Sequence, residues 1–144
     1  MTPLTPDTGP GQIIAERQVQ PREIDLFMFS AATWLTHRIH FDRDYARTEG
    51  HPDLVIHGPL QGAYLAELLS GVADQHGGQL ASLSYRVHRS AYCGDRLTMR
   101  ATLSSVTEDE GGRLAELAVT IHDEQDQLVT SGQGRLRLPA GSGS

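Results

Sequence analysis

The chain has 144 residues, of which 38% are hydrophobic and 21% charged, and its formal net charge is −6. This length suits one domain with a single core, and an acidic chain without a run of Lys or Arg excludes nucleic acid and anionic membranes as expected partners. The single cysteine, Cys93, excludes a disulfide framework. We predict a cytoplasmic protein with one domain over residues 11–138, a disordered start at residues 1–10 and a disordered tail at residues 139–144.

The N-terminal part predicts a strand followed by an amphipathic helix. The segment Ile13 to Val19 has the composition of a strand, and Pro21 marks the beginning of the helix. Apolar side chains recur in this helix at the spacing of one face, namely Ile24, Phe27, Met28 and Ala31. We expect this face to be buried against the core.

A polar stretch rich in histidine follows, since residues 37–62 contain four of the seven histidines. We expect Arg38 to Phe41 to be extended, which would place the side chains of His40 and Asp42 on one face. Asp42 also has the residue type of a helix N-cap, which predicts a short helix directly after it.

The longest predicted helix begins at His57-Gly58-Pro59 and ends near Gln75. Before it, residues 54–56 are apolar and predict a short buried strand. Pro59 suits the first helical position, where a backbone N–H is not needed. Gly58 allows another group to approach the backbone closely, and the free N–H groups and the helix dipole there favour an oxygen that becomes negative.

After Gly78 the apolar period changes from helical to two, in four segments separated by turns. Four antiparallel strands with one apolar face each predict an α+β fold, in which a strongly curved antiparallel sheet wraps around the long helix. We expect the final strand to be an exposed edge in a monomer, and this favours a dimer.

Two segments resemble a known family. Thr33 to Tyr45, within TWLTHRIHFDRDYA, and HGPL at residues 57–60 are similar to the signature of the MaoC-type hydratases and dehydratases, and to the branch with mesaconyl-C4-CoA hydratase and the mitochondrial-type 3-hydroxyacyl-thioester dehydratases. The resemblance extends from about Gly11 to Leu138. It implies a single hot-dog domain that forms homodimers or pairs with another hot-dog chain. It also implies reversible hydration of a 2-enoyl thioester of CoA or carrier protein, without a cofactor.

The resemblance also implies roles for individual residues. His40 matches the catalytic histidine, and Gly58 matches the glycine whose backbone N–H holds the thioester oxygen. Leu35 falls on the aspartate that completes the acid/base pair in MaoC enzymes, and leucine cannot move a proton. The second proton transfer is therefore left to His40 itself, to His37, to Asp42 acting through His40, or to a partner chain.

The remaining candidates come from the same comparison of motifs. His37 falls on the family's asparagine and Arg38 on its proline, and His57 precedes the oxyanion glycine. The catalytic candidates are His40, Gly58, His57 and His37. The candidates for substrate binding are Leu35, Arg38, Asp42, Pro59 and Arg86, the last of these for the phosphates of coenzyme A.

Two other functions remain open at this stage. A leucine at position 35 is compatible with a non-catalytic subunit that pairs with an active hot-dog partner. A hot-dog thioesterase would need an acid, and Glu67 on the long helix is the obvious candidate. The histidines outside the motif, at positions 51, 76, 88 and 122, lack the spacing of metal ligands, so we expect no metal site.

Overall fold

A computed structural model describes residues 4–141 of the chain. Its elements are β1 (Ile13–Val19), α1 (Glu23–Thr33), a 3-10 turn (Arg38–His40), α2 (Arg43–Thr48), α3 (Gly58–Gln75), β2 (Gln79–Val87), β3 (Leu97–Asp109), β4 (Gly112–His122) and β5 (Leu128–Leu138). The strands form one antiparallel sheet in the order β1-β3-β4-β5-β2. The predicted α+β class is confirmed.

The core lies between α3 and the sheet. Helix α3 contacts β1, β2, β3 and β5, and its buried residues Leu65 and Leu69 belong to the same apolar cluster as the inner face of the strands. In β4 burial alternates along the strand, with Leu117, Val119 and Ile121 almost fully buried. The period-two pattern in the sequence therefore identified the inner face of the sheet correctly.

The edges of the sheet differ from the expectation. Strand β5 pairs with β4 on one side and β2 on the other, so the prediction that the final strand is an exposed edge is wrong. The edges are β1 and β2, since β1 pairs only with β3 and β2 pairs only with β5 among the described strands. Two large residues of β2, Tyr85 and Val87, are each 38% exposed.

Helix α1 turns a different face to the core than predicted. Leu26 and Ser30 are its buried residues, whereas Ile24, Phe27 and Met28 are more than half exposed. The prediction that the face with Ile24, Phe27 and Met28 is buried is therefore wrong. Both faces carry apolar side chains, so helical spacing alone does not decide between them.

The segment before β1 also differs from the expected disorder at residues 1–10. Leu4 has no exposed surface and lies in the core cluster. Arg113 explains how this segment is held, since its guanidinium donates hydrogen bonds to the carbonyl oxygens of Leu4 and Pro139. Residues 1–3 and 142–144, where disorder was also expected, lie outside the described residues.

Helix length and hydropathy show whether a helix could span a membrane. Over residues 4–141, no helix combines the length and apolar character that crossing a bilayer requires. The cytoplasmic location stays a prediction.

Candidate active site

The turn that carries His40 is helical, so the prediction of an extended segment at Arg38 to Phe41 is wrong. Arg38–His40 form a single 3-10 turn, and the Nδ1 atom of His37 accepts a hydrogen bond of 3.3 Å from the backbone N–H of Ile39 at its start. This use of Nδ1 makes His37 a cap of the turn. The side chain of His37 is otherwise exposed, and its ring centroid lies 6.1 Å from that of His40.

The same turn separates Asp42 from His40. Asp42 accepts a hydrogen bond of 3.1 Å from the backbone N–H of Tyr45, as the predicted N-cap of α2, and it pairs with Arg38 at 2.7 Å. The N-cap prediction is confirmed, but the shared face of His40 and Asp42 is wrong. The described hydrogen bonds of the Asp42 carboxylate leave no contact with His40, which argues against Asp42 acting through it.

The segment before α3 fixes the position of His40. The backbone N–H of Val55 donates to the carbonyl of Ile39 at 2.9 Å, and the Nδ1 atom of His40 lies 2.7 Å from the carbonyl oxygen of Val55. The predicted strand at residues 54–56 is reduced to a single bridge between Val55 and Tyr92. Because a carbonyl oxygen only accepts, Nδ1 of His40 carries the proton and Nε2 has the free lone pair of a base.

His57 lies directly behind His40. Its ring stacks on that of His40, with centroids 3.9 Å apart and an angle of 19° between the planes. His57 is fully buried, its Nε2 lies 2.7 Å from the hydroxyl oxygen of Ser30, and Phe29 packs edge-on against it. The Nδ1 atom of His57 is buried without a hydrogen-bond partner among the described residues.

Burial governs the charge state of both rings. It lowers the pKa of His40, against the hydrogen bond to Val55 that raises it, and the neighbouring His37 and His51 lower it further. Burial, followed by the proximity of His40, lowers the pKa of His57 to about 4. Both imidazoles are therefore neutral at neutral pH, which leaves His40 able to accept a proton.

The N-terminus of α3 adjoins this pair. His57 is its N-cap residue and makes no side-chain hydrogen bond to the first turn, so the first backbone N–H groups of the helix have no side-chain cap. Gly58 is half-buried and Pro59 exposed, which leaves the start of the helix accessible. A Cβ atom at Gly58 would meet the side chain of Val87 at 3.5 Å, so β2 forms one wall beside it.

Leu35 lies where the comparison of motifs places the missing acid. It lines an apolar pocket of about 150 Å³ between α1 and the turn, together with Phe27, Ser30, Ala31, Thr36 and Phe41. None of the described residues that line this pocket carries a carboxylate. The surroundings of Leu35 therefore offer space for an alkyl group but no acidic side chain to replace the missing aspartate.

The other candidates lie farther from the imidazole pair. Arg38 is engaged by Asp42 and lies over the ring of Tyr45, 4.5 Å from its centroid. Arg86 is exposed on the edge strand β2. Glu67 is 60% exposed and pairs with Arg17 at 2.8 Å, so it is not a buried acid of the kind that a thioesterase would need.

Two members of the site gave no signal in the sequence. Ser30 lies on α1 without any catalytic motif around it, and it meets His57 across 27 residues. Val55 contributes only its backbone carbonyl, which any residue type provides. Within residues 4–141, no group of three or more His, Cys, Asp or Glu side chains is placed to hold a metal ion.

Solved structures confirm the hot-dog fold. The (R)-hydratase from A. caviae superimposes with a TM-score of 0.83 at 21% identity, covering 94% of this chain and all of the other. The MaoC-like dehydratase from Rhodospirillum rubrum gives 0.80 at 13% identity, covering 97% and 99%. The ChsH1-ChsH2 complex from Mycobacterium tuberculosis gives 0.78 at 18% identity, covering 91% and 98%.

Sequence similarity gives the family. The chain is 55% identical over 53 residues to mesaconyl-C(4)-CoA hydratase from Chloroflexus aurantiacus, a match that covers 36% of this chain but only 19% of that protein. The sequence model of the hydroxyacyl-thioester dehydratase type 2 family matches residues 5–93, which include α1, the 3-10 turn and α3. The predicted relationship to these enzymes is confirmed, and the chain belongs to the hydroxyacyl-thioester dehydratase type 2 family.

Proposed function

We propose that the chain catalyses reversible hydration of a 2-enoyl thioester, or dehydration of a 3-hydroxyacyl thioester, carried by CoA or by an acyl carrier protein. The observation that supports this most directly is the stacking of His40 on His57. His57 is the N-cap of α3, and its side chain leaves the N–H groups of the first turn uncapped, which supports a neutral imidazole base at His40 acting beside Gly58. A base next to an oxyanion site is what this reaction needs.

In the hydration direction, Nε2 of His40 takes a proton from water while the water oxygen bonds to the β-carbon of the enoyl group. The displaced electron pair moves through the α-carbon to the thioester oxygen. The backbone N–H of Gly58 and the positive end of the α3 dipole stabilise the resulting enolate. His40 then returns its proton to the α-carbon, the thioester carbonyl re-forms, and the neutral base is restored.

We assign both proton transfers to His40. Leu35 cannot take part, and the carboxylate of Asp42 is engaged by Arg38 and the start of α2. His37 is the alternative, since its ring is 6.1 Å from His40. Its Nδ1 atom already accepts a hydrogen bond from the turn, which leaves only the opposite nitrogen for substrate.

The apolar pocket at Leu35 is proposed to receive the acyl group, because it is lined mainly by hydrocarbon and lies next to Ser30 and the imidazole pair. Pro59, exposed at the helix start, would contact the thioester. The guanidinium groups of Arg38 and Arg86 are proposed to meet the phosphates of CoA.

The activity is tested by mixing the protein with crotonyl-CoA and with mesaconyl-CoA and following loss of the enoyl absorbance. We expect hydration by the wild type and a loss of about 10²-fold or more in His40→Gln. His76→Gln is a matched control, since His76 caps the opposite end of α3. Equal rates for wild type and His40→Gln would remove His40 from the mechanism, and release of free CoA would indicate a thioesterase instead.

A second candidate is a non-catalytic subunit in a complex of two hot-dog chains. Leu35 in place of an acid favours it, as do the exposed apolar residues Phe27 and Met28 on α1 and the free edge of β2. One of the similar structures, ChsH1-ChsH2, is a complex of two named components. Light scattering of the purified chain gives its mass. Hydration by the homo-oligomer supports the first candidate, and activity only after mixing with a second hot-dog chain supports this one.

A further inference from the structure

We propose that Ser30 and His57 form a buried support for His40: Ser30 fixes the ring of His57, and that ring holds the plane of His40 so that its Nε2 faces the substrate. Both are positioning residues in this proposal, because neither touches the reacting atoms. The inference deepens the proposed hydratase activity and rests on it for its functional meaning.

The contacts form a continuous chain from α1 to the catalytic turn. The hydroxyl oxygen of Ser30 lies 2.7 Å from Nε2 of His57. The ring of His57 in turn stacks on that of His40, with 3.9 Å between the ring centroids. Phe29, the neighbour of Ser30 on α1, packs edge-on against His57 at 4.9 Å. These contacts and its complete burial restrict rotation of the His57 ring.

His40 itself is held at only one nitrogen. Its Nδ1 hydrogen bond to Val55 fixes the distance of the ring from residues 54–56, but the ring can still turn about that bond. The face of His57 restricts this freedom, because turning the ring of His40 would break the nearly parallel contact observed at 19°. The hydrogen bond and the stack together define where Nε2 points.

The unpaired nitrogen of His57 keeps the support neutral. Ser30 can accept a hydrogen bond from Nε2–H of His57, in the neutral tautomer that carries no proton on Nδ1. A protonated ring would present a second N–H at Nδ1, which is buried and has no acceptor among the described residues. His57 is thus kept from competing with His40 for the proton that the reaction transfers.

Ser30→Ala tests the support by removing the hydroxyl while leaving both rings in place. Thr33→Ala is the matched control, because it deletes another hydroxyl of α1, which is exposed and donates to the carbonyl of Phe29. His57→Gln is a second variant, in which a polar group can still reach Ser30 but the stack is lost. The readouts are the NMR titration of the His40 ring and the pH profile of kcat/KM.

We expect the pKa of His40 to rise toward its ordinary value in Ser30→Ala and in His57→Gln, because water enters beside a ring whose pKa is lowered mainly by burial. The acid limb of kcat/KM should move to higher pH, and kcat should fall about 10-fold with little change in KM. Thr33→Ala should match the wild type. A purely structural role would lower activity equally at every pH and leave the titration of His40 unmoved.

The NMR titration separates the two proposals, since it needs no substrate. An unchanged His40 titration in folded Ser30→Ala overturns the support. A shifted titration in a protein that hydrates no enoyl thioester keeps the support and overturns the proposed function. Circular dichroism establishes folding, and if His57→Gln does not fold, Ser30→Ala decides the matter alone.

Discussion

The imidazole rings of His40 and His57 are nearly parallel, at 19°, with their centroids 3.9 Å apart. One ring belongs to an irregular turn after α1, and the other belongs to the residue that begins α3. The stack therefore brings the proposed base, His40, next to the N-terminus of α3, where the proposed oxyanion site lies.

Activity should depend on pH through His40 in its neutral form. Its pKa is lowered, mainly by burial, so the neutral base is fully present at neutral pH and is lost as the pH falls through that lowered pKa. We expect kcat/KM for crotonyl-CoA to rise with pH along an acid limb below pH 6.5 and then to level off, where 6.5 is the ordinary value. An acid limb above pH 6.5 would contradict this environment for His40.

His37 should matter little for the proton transfers. In His37→Asn the amide oxygen can replace Nδ1 as the cap of the 3-10 turn, and we expect kcat to stay within about 3-fold of the wild type if His40 moves both protons. The acid limb should move slightly to higher pH, because His37 contributes to the lowered pKa of His40. A fall in kcat of about 10²-fold or more would instead identify His37 as the second acid/base group.

Gly58→Ala should separate folding from function. The added Cβ would meet Val87 at 3.5 Å, an ordinary contact, so the melting temperature should change little. The methyl group would nevertheless hinder the approach of a thioester oxygen to the backbone N–H, and kcat/KM should fall by about 10- to 10³-fold. Retained activity would show that the oxyanion is not held at this amide.

Acid should destabilise the protein through His57. The pKa of His57 is about 4 in the folded protein and 6.5 for the free side chain. Between these two pH values the unfolded chain binds a proton at His57 and the folded chain does not. Stability is thus lost as the pH falls from about 6.5 to about 4, by roughly 3 kcal/mol for this group. Urea unfolding at pH 7 and pH 4 should show a smaller pH dependence in His57→Gln than in the wild type. Equal dependence in both would refute a buried neutral His57.

Leu4 should contribute to stability although it precedes every helix and strand. Its side chain is fully buried in the core cluster, so Leu4→Ala should lower the free energy of unfolding by about 2 to 4 kcal/mol. The exposed Ile13 offers a control, since Ile13→Ala removes the same number of side-chain atoms from a residue that is 53% exposed. Equal stability of Leu4→Ala and wild type would show that the start of the chain is not part of the core.

The sequence by itself determined much of the local structure of this protein, although not the 3-10 turn at Arg38–His40. Alternation of apolar residues identified the inner face of strands such as β4, Asp42 was recognisable as an N-cap, and HGPL marked the start of α3. These features depend on backbone geometry within a few residues, which periodicity and capping chemistry record directly. The motif around His40 also pointed to the family, because its residues stand close together in the chain.

Only the tertiary structure decided which elements meet. It placed β5 inside the sheet, turned Leu26 and Ser30 of α1 to the core, and brought Ser30 and His57 together across 27 residues. Such contacts depend on the packing of distant segments, and no spacing rule within one segment encodes them. Chain-wide packing also explains why the half-buried His40 has a lowered pKa, since its environment is built by Val55 and His57, which lie on other segments.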